Sequence, residues 1–493
     1  MFKQIAVELR QMKLLYLSLM LVLALSMTTQ AQVPLTQISS DPFTNSIAQH
    51  ATEVEAATWA SGNTIVSIFQ QGRFFNGGGS SDNGWATSLD GGVTWQHGPL
   101  PGLTKNSGGG IYDRATDPAV IFDVAHGVWL VASLPLYNRG AATTAMLVSR
   151  SSDGINWGNP VTVSRIFNRP DKTWISCDNN SGSPFFGHCY AEWDDNSQGD
   201  LVYLSVSTDG GQTWGPAIEP ATNPAIFGAQ PLAQPNGTVI VPGADAFDVS
   251  IQAFTSTDGG AHWKPPVTVA SITLHHANGG LRDLALPTSA MDAAGRVYTV
   301  WQDCRFRSNC TANDLVMTTT TDGIHWSAVT RVPIDSVTSN IDHFLPGLAI
   351  ESGTSGTSAH LGLTYYFYPD AGCTKSTCQL EEGYVSSPNG GVSWTAPTTV
   401  AGAMSLSWFP NTNQGFMPGD YESLAFVNGQ AFPVLAVATA PSGTTFNVTM
   451  QAPTTGLVDG AAVFTSAGDT PVAGAHSDHR ARSTPICDRC EHD

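Results

Sequence analysis

The chain has little charge of either sign, and least of all positive charge. Lys and Arg number 21 against 40 Asp and Glu in 493 residues, for a formal net charge of −19. Charged residues make up 12% of the sequence, about half the usual share of about 25%. That excludes a coiled coil and a charge-rich disordered chain. So few basic residues also exclude the phosphate-neutralising surface that nucleic acid or an anionic membrane requires. Helical periodicity is lacking through the body of the chain. Long apolar runs are lacking everywhere except at the start.

There, Lys3, Arg10 and Lys13 precede the apolar run LLYLSLMLVLALSM at 14–27, followed by small and polar residues. This pattern reads as a signal peptide over 1–31, with cleavage after Ala31. The run is short of the roughly twenty residues that a membrane span needs. A secreted or periplasmic protein, with no membrane insertion after cleavage, is the expectation. The eight cysteines fall in close pairs, Cys177/Cys189, Cys304/Cys310, Cys373/Cys378 and Cys487/Cys490. Such pairs suit short disulfides that stiffen loops in an oxidising compartment, with connectivity left open. The Cys487/Cys490 pair lacks partners at zinc spacing, so a tail disulfide or free thiols are expected there, and no metal.

What is present is a repeat. SLDGGVTW at 88–95 recurs as SSDGINW at 151–157, STDGGQTW at 207–214 and STDGGAHW at 256–263. It recurs again as TTDGIHW at 320–326 and SPNGGVSW at 387–394, at intervals of 49 to 67 residues. Each copy suits a turn between two strands. Asp accepts from backbone amides just ahead of it, and Gly supplies positive φ. Alternating apolar runs such as LVYLSVS at 201–207 precede the copies. The repeat resembles the Asp box, or bacterial neuraminidase repeat, of sialidase-like β-propellers. The resemblance covers roughly residues 33 to 453. It implies an all-β propeller of four-stranded blades, with the box on the turn between the outer strands of a blade.

Inner and second strands can be read near 54–70, 118–134, 173–193, 226–241, 284–301, 344–366 and 421–438. That favours seven blades, with six as the alternative. Leu35–Ser39 is expected to supply the last blade's fourth strand. Residues 454–493 are small, polar and unpatterned, and read as a flexible tail.

The box residues are structural on this reading, so function has to lie in other loops. Blade-to-blade loops carry Glu53, Glu55, Asp113, Arg114, Asp117, Asp171, Lys172, Trp174, His275, His276, Arg282, Asp283, Asp420 and Tyr421. Loops after second strands carry Arg73, Asp194, Asp195, Asp303, Arg305, Arg307 and Tyr365. Paired carboxylates, Arg forks and aromatic rings suit a polar, sugar-sized ligand. The DKTWISCD, VWQDCRFR and MPGDY segments resemble secreted bacterial sialidase-like propellers. That family holds a substrate carboxylate with three Arg, attacks with a Tyr activated by a Glu, and uses an Asp as acid/base. The Tyr nucleophile is an exception to the two-carboxylate rule for glycosidases. The family's Arg-Ile-Pro motif is absent here.

The candidates are therefore chosen by loop position. Asp303 or Asp113 is expected as the acid, and Tyr421 or Tyr365 as the nucleophile. Arg73, Arg114, Arg282, Arg305, Arg307, Asp171, Asp420, Trp174 and Tyr365 are the expected substrate contacts. No cofactor is expected. Asp194-Asp195 is a candidate for a structural calcium ion, with solvated surface charge as the default. The expected activity is that of an exported, monomeric, sialidase-like glycoside hydrolase acting on acidic sugar termini of glycans. The alternatives are a non-catalytic carbohydrate- or protein-binding propeller, and a cation-dependent lyase or hydrolase.

Overall fold

The structure is a computed structural model, and it describes residues 33–138, 142–165, 169–460, 463–466 and 468–472. The expected signal peptide and the Cys487/Cys490 pair lie outside the described residues. The protein is an all-β propeller whose only helices, among the described residues, are single 3₁₀ turns. No helix among these residues is long and apolar enough to cross a membrane.

The strands form antiparallel meanders. Glu53–Ser61, Thr64–Arg73, Ser80–Ser88 and Gln96–Pro99 make one. Arg114–Asp123, Val128–Tyr137, Met146–Ser151 and Val161–Ser164 make the next. A pairing of Ser80 with Ala115 joins these two into one nine-stranded sheet. Pro170–Cys177, Cys189–Asp195 and Leu201–Ser207 follow as a three-stranded sheet.

Sheets built around Val239–Asp245, around Val297–Asp303 and around Leu361–Tyr368 come next. In the last meander, Ser423–Val427, Gln430–Ala438 and Val448–Pro453 are completed by the N-terminal strand Leu35–Gln37, with Leu35 opposite Pro453. Counted by continuous hydrogen bonding, five sheets have four or more strands. Uniform four-stranded blades are not what forms. Where a fourth strand would lie beside Leu201–Ser207, Ile218 makes only a single bridge to Leu204.

The six repeated turns share one hydrogen-bond pattern. In the turn at 207–214, Ser207 Oγ donates to Asp209 Oδ1 at 2.9 Å and accepts from the Gly211 N–H at 2.9 Å. The Asp209 carboxylate then takes the Gln212 and Thr213 amides, each at 2.9 Å. The same serine-to-aspartate geometry holds Asp90, Asp153 and Asp258, and Asn389 stands in for Asp in the last copy. A glycine is obligatory inside these turns. Gly92, Gly210, Gly260 and Gly391 all have positive φ. A Cβ at Gly92 would strike the Phe432 ring at 2.3 Å, and one at Gly391 would strike Met317 at 2.2 Å. The turns at Gly210, Gly260 and Gly391 are pressed against the preceding meander, and the turn at Gly92 against the last.

Three disulfides form, Cys177–Cys189, Cys304–Cys310 and Cys373–Cys378, on the local pairing expected. The stretch read as a tail begins with seated residues. Leu457 bridges Ala431, Val463–Phe464 pairs with Trp394–Thr395, and the Val472 N–H donates to the Arg305 carbonyl at 2.8 Å. The contacts at Ala431 and at Trp394–Thr395 use strand edges, and that at Arg305 a loop carbonyl, which a reading for periodicity does not register.

Candidate active site

The innermost strands carry a shared irregularity. Their register slips between Val54 and Ala57, between Thr116 and Ala119, between Asp171 and Trp174, and between Phe344 and Pro346. At each slip a non-glycine residue takes positive φ: Glu55 at 64°, Asp117 at 47°, Lys172 at 41° and Leu345 at 51°. Such conformations cost on the order of 1–3 kcal/mol each and gather at functional sites. The bulge re-aims a side chain that regular pleating would send elsewhere.

The result is a buried polar cluster. The Lys172 ammonium pairs with Asp420 Oδ2 and lies 3.8 Å from Asp117 Oδ1. Arg282 grips the same Asp420 carboxylate in a fork, Nε to Oδ1 at 2.7 Å and Nη2 to Oδ2. Gln70 Nε2 donates to Glu55 Oε2 at 2.9 Å and to Thr116 Oγ1 at 3.1 Å. Tyr421 donates its hydroxyl to the Pro118 carbonyl at 2.8 Å and meets Trp174 edge to face, with ring centroids 5.5 Å apart. Glu55, Asp117, Lys172, Arg282 and Asp420 are all buried, whereas Trp174 and Tyr421 keep part of their surface.

Burial, then the Asp420 and Asp117 carboxylates, push the Glu55 carboxyl well above its ordinary value; Lys172 and Arg282 oppose them. Burial, followed by Glu55 and Asp117, pushes the Tyr421 hydroxyl up as well. The cluster holds two cations against Asp117 and Asp420, with Glu55 and Tyr421 biased toward their neutral forms.

Four of the residues expected from sequence meet here: Tyr421, Trp174, Arg282 and Asp420. Asp171 adjoins them through Lys172, whose N–H donates to Asp171 Oδ1 at 3.1 Å. Glu55, Asp117 and Lys172 were read as loop residues and not chosen. Their signal was position, just inside each inner strand, rather than any motif.

The other expected residues lie elsewhere. Asp303 accepts from the Thr273 and Arg305 amides at 3.0 and 2.8 Å, from Trp301 Nε1 at 3.2 Å, and from Arg305 Nε and Nη2 at 2.9 and 2.6 Å. Both oxygens of this carboxylate are engaged by donors, three of those contacts coming from Arg305. Arg307 is buried between Asp314 Oδ1 at 2.6 Å and Asp335 Oδ1 at 2.8 Å. Tyr365 is buried against His343 and Phe367, and its hydroxyl is pushed well up by burial.

Arg73 donates to the Gly79 carbonyl at 2.5 Å. Arg114 lies over the Phe74 ring at 4.0 Å and donates to Asn138 Oδ1 at 2.6 Å. Asp113 pairs with Lys105 at 2.8 Å, which holds its carboxyl below the ordinary range. Asp113, Lys105 and Asn138 line a separate cleft of about 240 Å³, together with Asn45, Ser46 and Asn106.

No known protein-family description matches the chain, and no curated protein is similar to it in sequence. Solved structures similar to it include a Dyadobacter fermentans protein of unknown function, at 14% identity and TM-score 0.46, covering 72% of this chain and 99% of that one. Another is the NanB sialidase of Streptococcus pneumoniae, at 14% identity and TM-score 0.42, covering 85% and 70%. A third is an α-L-arabinanase of Penicillium chrysogenum, at 12% identity and TM-score 0.44, covering 89% and 100%. At these values the likeness bears on no individual residue of the site.

Proposed function

We propose that the protein is an exported glycoside hydrolase of sialidase-like type, with its reaction centre at Tyr421, Glu55 and Asp117. One observation carries the reading. A phenol, three carboxyl groups and two cations sit in one cluster, with Glu55, Asp117 and Lys172 held there at positive φ. In this reading Tyr421 attacks the anomeric carbon and Glu55 takes the phenolic proton. The raised pKa makes Glu55 the stronger base once it has ionised, so the step runs from its ionised form. Asp117, in its protonated form, gives its proton to the departing oxygen, and Trp174 packs against the sugar. Arg282 and Lys172 are already neutralised by Asp420. An acidic sugar therefore binds by exchanging its carboxylate for that of Asp420, whereas a neutral sugar leaves the pair intact.

The ring belongs to the same proposal. We infer seven units, counting the nine-stranded sheet as two. The Gly92 turn of the first meander leans on Phe432 of the last. Leu35–Gln37 completes that last meander. Both features support a ring closed between the two ends of the chain.

A second reading, a non-catalytic glycan-binding propeller, has its own support. Glu55, Asp117 and Asp420 are each 1% exposed, while the cleft at Asp113 and Asn138 offers polar side chains beside the Ile47 and Phe74 side chains. Turnover of a panel of fluorogenic α-sialosides and neutral glycosides separates the two. Hydrolysis supports the enzyme. Retained glycan binding without hydrolysis, abolished by Asn138→Ala, supports the binding propeller.

A further inference from the structure

Three asparagine side chains line the cleft beside Asp113, and each is pinned to the protein by one end of its amide. Asn45 Oδ1 accepts from the Ser81 hydroxyl at 2.8 Å. Asn106 Nδ2 donates to the Ser81 and Asp113 carbonyls at 2.8 and 3.1 Å. Asn138 Oδ1 accepts from Arg114 Nε at 2.6 Å, and its backbone N–H donates to Asp113 Oδ2 at 2.9 Å. A guanidinium only donates and a carbonyl only accepts, so the amides of Asn106 and Asn138 have a fixed sense. Ser81 and Asp113 are shared anchors, which gathers the three amides around one rim. Among the described residues, no hydrogen bond takes up the opposite ends, Asn45 Nδ2, Asn106 Oδ1 and Asn138 Nδ2.

The rest of the lining narrows the ligand. Lys105 Nζ pairs with Asp113 Oδ1 at 2.8 Å, so the two charges that line the cleft cancel. An acidic ligand would meet the Asp113 carboxylate in a chain of net charge −19, and a cation would find Lys105 already on that carboxylate. Ile47 adds an apolar surface that is 55% exposed. Two amide donors, one amide acceptor and an apolar side chain suit a neutral sugar. Its hydroxyls both donate and accept, and its C–H face packs on Ile47. At about 240 Å³ the cleft is smaller than the about 300–1,000 Å³ of pockets for drug-sized ligands, and it suits one ring rather than a chain.

We propose that this cleft is a carbohydrate subsite, which holds one neutral sugar ring of a glycan whose terminal residue reaches the axial cluster. Arg114, which holds Asn138, and Asp117 share the strand Arg114–Asp123. Three residues at about 3.3 Å each put them about 10 Å apart, a span that a short oligosaccharide covers. Asn45 and Asn138 donate to ring hydroxyls, and Asn106 accepts from one. The role as a subsite rests on the reaction centre proposed above, whereas the binding of a neutral sugar does not.

The test is titration calorimetry on the mature full chain with methyl glycosides of neutral hexoses and pentoses, and with methyl sialoside as the acidic control. Wild type is expected to bind at least one neutral glycoside in the millimolar range, and more tightly than the sialoside. Asn45→Asp and Asn138→Asp keep an oxygen for Ser81 and Arg114 but lose the amide donor. Each is expected to weaken that binding by at least about tenfold, while Tyr421→Phe leaves it unchanged. A folded wild type that binds no neutral glycoside overturns the proposal. So does undiminished binding in both Asp variants, or a preference for the sialoside that Asn138→Asp abolishes. Because the readout is binding, failure of the reaction centre registers separately: a chain that hydrolyses nothing yet shows this pattern keeps the cleft and loses the centre. Should neither variant fold, acetylation of wild-type Lys105 decides. Saturating neutral glycoside is expected to slow it, and an unchanged rate overturns the proposal.

Discussion

Arg282 and Lys172 close on one carboxylate, that of Asp420, although the three residues lie far apart in the chain. Asp420 thus ties the strand that starts at Pro170 and the loop before Thr288 to the last meander. Replacing it takes from two buried cations the carboxylate they share. Removing one partner of a buried ion pair costs about 3–5 kcal/mol. Asp420→Ala is expected to lose at least that much in urea unfolding, and Asp420→Asn somewhat less. Exposed pairs such as Lys105–Asp113, with Lys105 more than half exposed, fall under the about 0–1 kcal/mol of surface bridges. Lys105→Ala is expected to leave the unfolding midpoint within error.

Buried carboxyls set a pH dependence of stability with a definite sign. Burial raises Glu53 and Asp82 to about 7. Glu382 is raised to about 7 as well, and burial and the nearby Glu382 raise its partner Glu422 well above its ordinary value. The folded chain keeps these protons across a range where the unfolded chain has released them. Stability from these groups therefore falls as pH rises from about 4.5 to about 7, then levels. Glu382→Gln keeps an oxygen for the Thr364 hydroxyl and offers an amide to Glu422. It is expected to raise Tm at pH 8 and to flatten the slope of Tm against pH. A slope unchanged by Glu382→Gln, with the variant folded, contradicts this account of the pair.

The repeated turns act in the opposite direction. Asp90 is lowered to about 2, chiefly by the Thr94 hydroxyl and amide. Its contribution is complete above the unfolded value of 3.8 and is lost as pH falls toward about 2. Acid unfolding should therefore start nearer pH 4 in Asp90→Asn than in wild type, as followed by tryptophan fluorescence.

The Cys304–Cys310 bridge closes the loop that carries Arg305 and Arg307. A loop this short gains about 2 kcal/mol from cross-linking in the chain-entropy account. Cys304→Ser with Cys310→Ser is expected to lose about that much in urea, with glycoside turnover unchanged. Neither arginine touches the proposed centre.

Much of the fold was legible because its signals are local. A Ser-x-Asp-Gly turn makes its own hydrogen bonds, so six copies declare themselves in the sequence, down to Asn389 replacing Asp. The strand Leu35–Gln37 was legible as a leftover that one edge needed. The site was legible only in part. Tyr421, Trp174, Arg282 and Asp420 could be placed near the axis because inner-strand starts converge there. Glu55, Asp117 and Lys172 owe their aim to bulges, which no periodicity announces. Asp303 and Arg305, chosen by loop position, pair with each other. They lie two residues apart and consume each other, as sequence neighbours of opposite charge readily do.

The measurement closest to the central claim is hydrolysis of the glycoside panel by Tyr421→Phe beside wild type, with Glu55→Gln as a second variant. Tyr421→Phe gives up one hydrogen bond, to a backbone carbonyl, and should fold. The account predicts turnover of at least one glycoside by wild type. It predicts a kcat lowered by at least about a hundredfold in both variants, with KM changed far less. Wild-type hydrolysis that survives undiminished in Tyr421→Phe would contradict it, as would a folded wild type that hydrolyses nothing in the panel.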